Sequence, residues 1–234
     1  MAIHFILPKL YLCVMKLAGL HKHANKEPYW HVQVAVVLAV ALQLILSDKL
    51  TVGPKFIIAG FEISLLLLLA FFAPQGHSAV KHIRRTLAII LIAFISFANI
   101  TSLFLVVRSL IGTRQVSGKQ LIISALAIYL TNIIIFGLWY WELDSNGSQA
   151  QNYDVEPVDF LFPQMNVGSD LGALKLWNPT FFDYLYVSIT NASAFSPTDT
   201  MPLTHRAKLL MSAQSTISLI TIALVAARAV NILS

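Results

Sequence analysis

Long apolar runs separated by short polar segments dominate this chain of 234 residues. Five runs have the length, about 17 to 25 residues, at which an α-helix crosses a hydrocarbon core of roughly 30 Å. They cover residues 30–46, 56–73, 86–107, 121–141 and 209–233. The pattern therefore predicts about five transmembrane helices.

A further apolar run, residues 181–189, is too short to cross, since a span needs roughly 20 residues. Asn178 is a suitable N-cap and Pro179 a suitable first helical residue, so we predict that a helix begins there. Segment 191–204 has no regular pattern, and irregular backbone occurs at membrane depth only where protein or water surrounds it. This favours a re-entrant helix and loop. An interfacial helix followed by a surface loop is the alternative.

The N-terminal segment, residues 1–29, is apolar but carries Lys9 and Lys16 two turns apart on one helical face. Pro8 interrupts it early. The pattern favours an amphipathic helix lying in the membrane interface. A sixth span and a cleaved signal peptide are the alternatives, although the residues after Gly19 lack a small-x-small cleavage site.

Composition indicates the same class of protein. Hydrophobic residues make up 57% of the chain, charged residues only 12%, and the mean hydropathy is +0.72. A soluble domain of this length is far less apolar, so we predict an all-α integral membrane protein. The pI near 9.4 reflects basic residues at the ends of apolar runs, where the lipid bilayer, not nucleic acid, is the expected partner.

No pattern indicates catalysis. The sequence lacks a phosphate-binding loop, a dinucleotide fingerprint and a nucleophile elbow. Its seven histidines and single cysteine do not occur at metal-ligand spacing. We therefore expect neither an enzyme nor a metal or cofactor site.

Two sets of polar residues lie inside apolar runs. Glu62 is the acidic residue placed well inside one, and Asn99 or Asn132 on another span is its expected partner. It serves either structural pairing or a proton or ion role. Three further residues recur at i, i+4 and i+7 on one face of the last span, and they either line a wet pore or bond to neighbouring helices. They are Gln214, Ser218 and Thr221.

The residues after the short run form a longer motif. A D-x-L-Y-x-S pattern is formed by Asp183, Leu185, Tyr186 and Ser188. At the spacing of an exit to an inner helix stand Asp199, Pro202, Thr204, Ala207 and Lys208. This arrangement resembles the potassium-channel pore-loop superfamily, in which a pore helix, a filter and an inner helix follow one another. The resemblance implies a homo-tetramer around the last span.

The filter-like segment departs from that superfamily. Where the family has T-V-G-Y-G-D, this chain has Ala194, Phe195, Ser196, Pro197, Thr198 and Asp199. Both glycines that let successive carbonyls face the axis are absent, and Pro197 restricts the backbone. The resemblance therefore implies an atypical filter that selects weakly among small inorganic ions.

The whole chain also resembles a bacterial inner-membrane family of unknown function, whose members pair such a helix with a last span ending in a V-N-I/L motif. Here that motif is Val230, Asn231 and Ile232. The resemblance implies a multi-pass protein of the bacterial inner membrane and brings no activity with it.

These patterns divide the chain into the N-terminal segment 1–29, a three-helix membrane region 30–116 and a pore-like module 117–234. The module comprises an outer helix, a polar cap loop 144–178 with an apolar knot at 158–165, a pore helix and filter-like loop 179–204, and an inner helix 205–234. The expected function is weakly selective ion conduction. The alternative is a secondary transporter or a non-conducting accessory membrane protein.

Two arguments about orientation disagree. The basic residues of segments 1–29 and 81–85 place both on the cytoplasmic side, and the pore loop with them. The channel resemblance implies the opposite orientation of the pore loop.

Overall fold

The computed structural model describes residues 30–51, 54–72, 78–111, 116–144, 158–166, 178–193 and 199–233. Its helices are α1 (Trp30–Ile45), α2 (Lys55–Phe72), α3 (Ser78–Ile111), α4 (Gly118–Asp144), α5 (Pro163–Asn166), α6 (Phe181–Ser193) and α7 (His205–Leu233), with a 3₁₀ helix at Asp48–Leu50. Two short strands, β1 (Phe160–Leu161) and β2 (Met201–Pro202), pair antiparallel. The predicted interfacial helix in segment 1–29 lies outside the described residues.

All five long apolar runs are helices, namely α1, α2, α3, α4 and α7. Within the described ranges, three helical stretches are long and apolar enough to cross a membrane: Ile83–Leu110, Gly118–Asp144 and His205–Arg228. The apolar stretches of α1 and α2, Trp30–Ile45 and Phe56–Leu69, are shorter. The predicted all-α membrane class is confirmed, and the number of spans stays a prediction.

Helix α4 is the centre of the fold and contacts α1, α3, α6 and α7. Of its apolar stretch, 67% is buried, against 17% for α7. Residues 131–138 are buried without interruption, as expected of a helix that is apolar all round. Large apolar side chains are exposed on the helices that surround α4, among them Phe56 on α2, Phe97 on α3 and Leu209 on α7. In a bilayer such faces contact acyl chains.

The N-terminus of α6 differs from the prediction. Thr180, not Asn178, precedes the first helical residue, and its N–H and hydroxyl both donate to Oδ2 of Asp183, at 2.7 and 2.8 Å. A side chain at the third helical position that reaches back to the N-cap N–H is a capping box. The predicted N-cap at Asn178 and first helical residue at Pro179 are therefore wrong, because the carboxylate of Asp183 selects the later start.

The C-terminal end of α4 lies beside the first turns of α6 and α7. The Tyr184 hydroxyl, in the first turn of α6, donates to Oδ2 of Asp144 at 2.6 Å. The Leu203 N–H, just before α7, donates to the carbonyl of Asp159 at 2.8 Å, next to the β1–β2 pair. We call this end of the molecule, formed by Asp144, segment 158–166 and the first turns of α6 and α7, the cap end.

Segment 158–166 packs onto the helices at the cap end. The rings of Phe160 and Phe162 are almost completely buried. The ring centroids of Phe160 and Tyr140 lie 5.1 Å apart. The Phe162 ring stands nearly perpendicular to the Tyr184 ring, with 5.2 Å between their centroids. The apolar knot in the cap loop is thus part of the core, and it holds α4 and α6 together at their meeting point.

Gly137 allows α4 and α6 to approach closely. A Cβ at this position would lie 3.2 Å from both Cα and Cδ1 of Leu185. Gly60 on α2 offers a contrast, since a Cβ there meets nothing within 4 Å. Small residues at helix contacts in membranes permit this kind of backbone approach.

Replacing Gly137 by alanine is expected to lower the free energy of unfolding by about 1 kcal/mol, because Leu185 must move to accept the methyl group. Gly60→Ala is the matched control and is expected to be neutral or stabilising by up to about 1 kcal/mol. Unfolding of both purified variants in the same detergent measures the difference. Equal shifts for the two variants would contradict a tight contact at Gly137.

Candidate functional site

A buried polar network joins α4, α6 and α7 in the interior of the protein. Its members are Asn132, Tyr140, Ser188, Asn191, Gln214, Ser215 and Ser218. Gln214 lies nine residues into α7, which places it about 14 Å below the cap end. The network therefore lies inside the protein within the apolar stretch His205–Arg228 of α7, where water cannot supply missing hydrogen bonds.

Gln214 is the hub of this network and is fully buried. Its Oε1 accepts from the Tyr140 hydroxyl at 2.5 Å and from Nδ2 of Asn191 at 2.8 Å. Its Nε2 donates to the carbonyl oxygen and the hydroxyl of Ser188, at 2.9 and 2.6 Å. One side chain thus connects α7 to both α4 and α6.

The other members connect the same three helices. The Ser188 hydroxyl donates to the carbonyl of Ile133 on α4 at 2.6 Å. Nδ2 of Asn132 donates to the Ser218 hydroxyl at 2.9 Å, one turn further along α7 than Gln214. The Ser215 hydroxyl donates to Oδ1 of Asn191 at 3.1 Å. These contacts make the arrangement a polar joint between packed helices.

The predicted pore-lining residues face into the protomer. Gln214, Ser218 and Thr221 are each at most 1% exposed. Gln214 and Ser218 belong to the buried polar network, and the Thr221 hydroxyl donates to the carbonyl of Ile217 in its own helix at 2.7 Å. Of the two interpretations of this stripe, bonding to neighbouring helices describes the contacts of Gln214 and Ser218, and the opposite face of α7 is the exposed one.

Residues 194–198 lie outside the described residues, so Ala194, Phe195, Ser196, Pro197 and Thr198 stay predictions. Asp199 is described and exposed, and Thr200 next to it is buried.

A second set of polar contacts closes the cap end. Oδ1 of Asp144 accepts from the backbone N–H groups of Asp159 and Phe160. The carboxylate of Asp159, itself 1% exposed, accepts from the Thr204 hydroxyl and from Nε of Arg206 at 2.8 Å. Because Tyr184 also donates to Asp144, a continuous series of bonds links the end of α4 to the starts of α6 and α7.

Glu62 is completely buried between α2 and its neighbours, away from both sets of contacts. With its amide nitrogen turned toward the carboxylate, Gln43 on α1 donates to both Glu62 oxygens, at 3.0 and 3.3 Å. The expected partner was Asn99 or Asn132; the structure gives Gln43 instead, and Asn132 belongs to the buried polar network. Gln43 also lines a cavity of about 210 Å³ between α1, α2 and α3.

Sequence reasoning missed four residues that organise these sites: Tyr140, Asp144, Asp159 and Asn191. Tyr140 lies in an aromatic cluster that is typical of a membrane interface, which concealed its polar contact. Asp159 stands among apolar residues of the cap loop, and that isolation was the available signal of a buried, paired carboxylate.

The chemistry of the site is hydrogen bonding and helix positioning. In the part of the chain that the structure describes, no three His, Cys, Asp or Glu side chains are grouped closely enough to hold a metal ion. Comparisons with protein-family models, with curated proteins and with solved structures found no match to this chain.

Proposed function

We propose that this chain is a multi-pass protein of the bacterial inner membrane that assembles as a homo-tetramer and forms a weakly selective pore for small ions. In this proposal five helices cross the membrane, α6 is a re-entrant pore helix and α7 is the inner helix. One observation carries the proposal: α6 starts at the cap end and its C-terminal end lies beside the second and third turns of α7, while β2 lies back at the cap end.

The dimensions of α6 support a re-entrant helix. Its 13 residues span about 20 Å, less than the hydrocarbon core of roughly 30 Å. Near its C-terminal end, Nδ2 of Asn191 donates to the carbonyl of Met211, two turns into α7. The chain then reaches Met201–Pro202, paired with Phe160–Leu161 at the cap end. Entry and exit at the same end are what a pore loop requires.

Charge at the cap end supports cations as the permeating ions. In the sequence, one acidic residue of this region, Asp199, is followed by two cationic residues, Arg206 and Lys208. In the structure Arg206 is paired with the buried carboxylate of Asp159, at 2.7 Å, which offsets its charge. Asp199 and Lys208 then balance each other, and the negative end of the α6 dipole points toward the membrane interior, where it favours cations.

A pore requires several copies of this chain, because the buried polar residues of α7 pack inside one protomer and line no path of their own. The free surface of α7 is suited to an axis. Small exposed residues lie along one face at Ser212, Thr216, Ala223 and Ala227. We assign this face to the axis of the tetramer, in place of the buried Gln214 face.

Purified protein is expected to form four-fold particles and, in liposomes, to conduct sodium and potassium at similar rates, since both filter glycines are absent. Ala223→Trp, on the exposed face of α7, is expected to abolish most of the flux by obstructing the axis. Ala93→Trp, at an exposed position of α3, is the matched control and is expected to leave the flux unchanged. Particle symmetry and fluorescence flux assays measure both properties.

Equal flux in the two tryptophan variants would contradict the assigned axis, and strong preference for potassium would contradict weak selection. A second candidate function is a non-conducting accessory protein or a secondary transporter. The observation that favours it is the buried polar network, whose bonds are made within one protomer. Monomeric or dimeric particles without ion flux would support this second candidate.

A further inference from the structure

Glu62 and Gln43 form a buried carboxyl–amide pair that can be hydrogen-bonded in two ways. With its amide nitrogen toward Glu62, Gln43 donates to both carboxylate oxygens, at 3.0 and 3.3 Å. With the amide turned over, its nitrogen donates to the Ile95 carbonyl on α3 at 3.4 Å, and its oxygen faces Glu62. Two acceptor oxygens form a hydrogen bond only if one of them carries a proton. The second arrangement therefore requires a protonated Glu62.

The two arrangements differ by one proton and one rotation of the amide. In the first, the ionised carboxylate accepts two N–H bonds from Gln43. In the second, the carboxyl O–H donates to the amide oxygen while the amide nitrogen donates to Ile95. Each arrangement makes two hydrogen bonds, so neither form of Glu62 is buried without a partner. A fixed structural pair needs only one arrangement, whereas a group that exchanges a proton needs both.

The charged residues of the neighbouring elements stand away from this pair. Glu62 is 0% exposed, and α2 packs against α1 and α3. On α2 itself, Lys55 lies about 10 Å from Glu62 along the helix axis. The charged and titratable residues of α1 and α3 lie about 15 Å or more along their axes from Gln43 and Ile95. They are His31, Lys81, His82, Arg84, Arg85 and Arg108. The 3₁₀ helix carries the exposed residues Asp48 and Lys49, which are of opposite charge. Buried acidic groups inside membrane segments commonly take part in proton exchange.

A cavity of about 210 Å³ gives this pair access to water. Gln43 lines it from α1, and Ala59, one turn before Glu62, lines it from α2. The Ser102 hydroxyl also lines it, is 5% exposed and has no hydrogen-bond partner in the described part of the chain. Two threonine hydroxyls add further polar groups, Thr51 and Thr101. The volume accommodates several water molecules, which need such polar partners.

The cavity lies away from the cap end. The His31 ring, in the first turn of α1, is 4.9 Å from the Phe182 ring in the first turn of α6, whereas Gln43 lies about 18 Å further along α1. We propose that Glu62 is a proton-binding site, reached through this cavity, in which Gln43 turns its amide oxygen toward the carboxyl group and its amide nitrogen toward the carboxylate. The site is independent of ion conduction.

Infrared difference spectra of the full chain in lipid, recorded between mildly alkaline and mildly acidic buffer, test the proposal. Acidification of the wild type is expected to produce a carboxyl C=O band that is lost in Glu62→Gln. The C=O band of the Gln43 amide is expected to shift with it, and Gln43→Leu is expected to remove that shift and keep the carboxyl band. Glu142→Gln is the matched control, because Glu142 is also buried but faces Arg85, and it is expected to keep both signals.

A chemical test on the wild type needs no variant. Dicyclohexylcarbodiimide modifies a protonated carboxyl group: the proton moves to a nitrogen of the reagent, and a carboxyl oxygen bonds to its central carbon. The adduct therefore gains the whole mass of the reagent, and peptide mass spectrometry is expected to locate it at Glu62. Above the midpoint of the infrared titration, the yield is expected to fall about tenfold per pH unit, as the protonated fraction does.

The route through the cavity has its own test. Ala98→Phe fills part of the cavity and is expected to slow the exchange of the carboxyl proton several-fold after transfer to heavy water. Ala93→Phe, at an exposed position of the same helix, is the matched control and is expected to leave the exchange rate unchanged. The shift of the carboxyl band with time measures both rates.

The absence of a pH-dependent carboxyl band at Glu62, or an unmodified Glu62 after carbodiimide treatment in acidic buffer, would overturn the proposal. A carboxyl band without any shift of the Gln43 amide would contradict the rotation of the amide. Equal exchange rates in Ala98→Phe and Ala93→Phe would contradict the cavity as the route of the proton.

Discussion

Replacing Gln214 by leucine is expected to lower the free energy of unfolding by about 2–4 kcal/mol. The substitution removes the acceptor of the Tyr140 and Asn191 donors and the donor to Ser188, all in the interior of the protein. A single hydrogen bond between membrane helices contributes only about 0.6–1.7 kcal/mol. Gln214 makes several, and its loss leaves buried polar partners unpaired, which costs about 1–3 kcal/mol for such a group.

Two serines on the same helix as Gln214 provide the controls. Ser218→Ala removes only the contact with Asn132 and is expected to cost about 1 kcal/mol. Ser212→Ala is expected to be neutral, because that hydroxyl is exposed and bonds to the carbonyl of Lys208 in its own helix. Titration with a denaturing detergent gives all three values. If Gln214→Leu were no more destabilising than Ser212→Ala, the network would not hold α7 in place.

Replacing Asp144 by alanine is expected to lower the free energy of unfolding by about 2–4 kcal/mol and to detach segment 158–166 from the helices. The carboxylate of Asp144 accepts from the backbone N–H groups of Asp159 and Phe160 and from the buried Tyr184 hydroxyl. Hydrogen bonds to a charged group contribute about 1.5–3 kcal/mol each, and part of this is recovered when water reaches the freed groups.

Unfolding in detergent measures the stability of Asp144→Ala, and limited proteolysis at segment 158–166 measures its detachment. Asp144→Asn keeps an acceptor oxygen and is expected to lower the free energy of unfolding less than Asp144→Ala does. Asp199→Ala, at an exposed position near the same end, is the control and is expected to leave both readouts unchanged. Equal protease resistance in Asp144→Ala and the wild type would contradict the role of this carboxylate in the cap end.

The positions of the helices could be predicted closely from the sequence. The run at 30–46 became α1 at Trp30–Ile45, and the run at 56–73 became α2 at Lys55–Phe72. Apolar length and backbone hydrogen bonding are local properties, so a helix in an apolar environment follows from its own residues. The start of α6 was less predictable, because the choice between Asn178 and Thr180 depended on the Asp183 side chain.

The candidate site was predicted only in part. Periodicity identified the face of α7 that carries Gln214 and Ser218, but it could not tell whether that face meets water or another helix. Periodicity describes one helix, and the answer depends on Asn132 and Tyr140, which lie 74 to 86 residues away along the chain. The same limit applied to Glu62, whose partner Gln43 lies on a different helix from either expected asparagine.

The sequence by itself determined that this chain is an α-helical membrane protein, where its long helices lie and that 181–189 is too short to cross. Only the tertiary structure decided which polar groups pair, that Asp144 and Asp159 join three chain segments at one end, and which face of α7 stays exposed. The physical reason is that hydrophobic length acts within one segment, whereas a buried polar group must find its partner elsewhere in the fold.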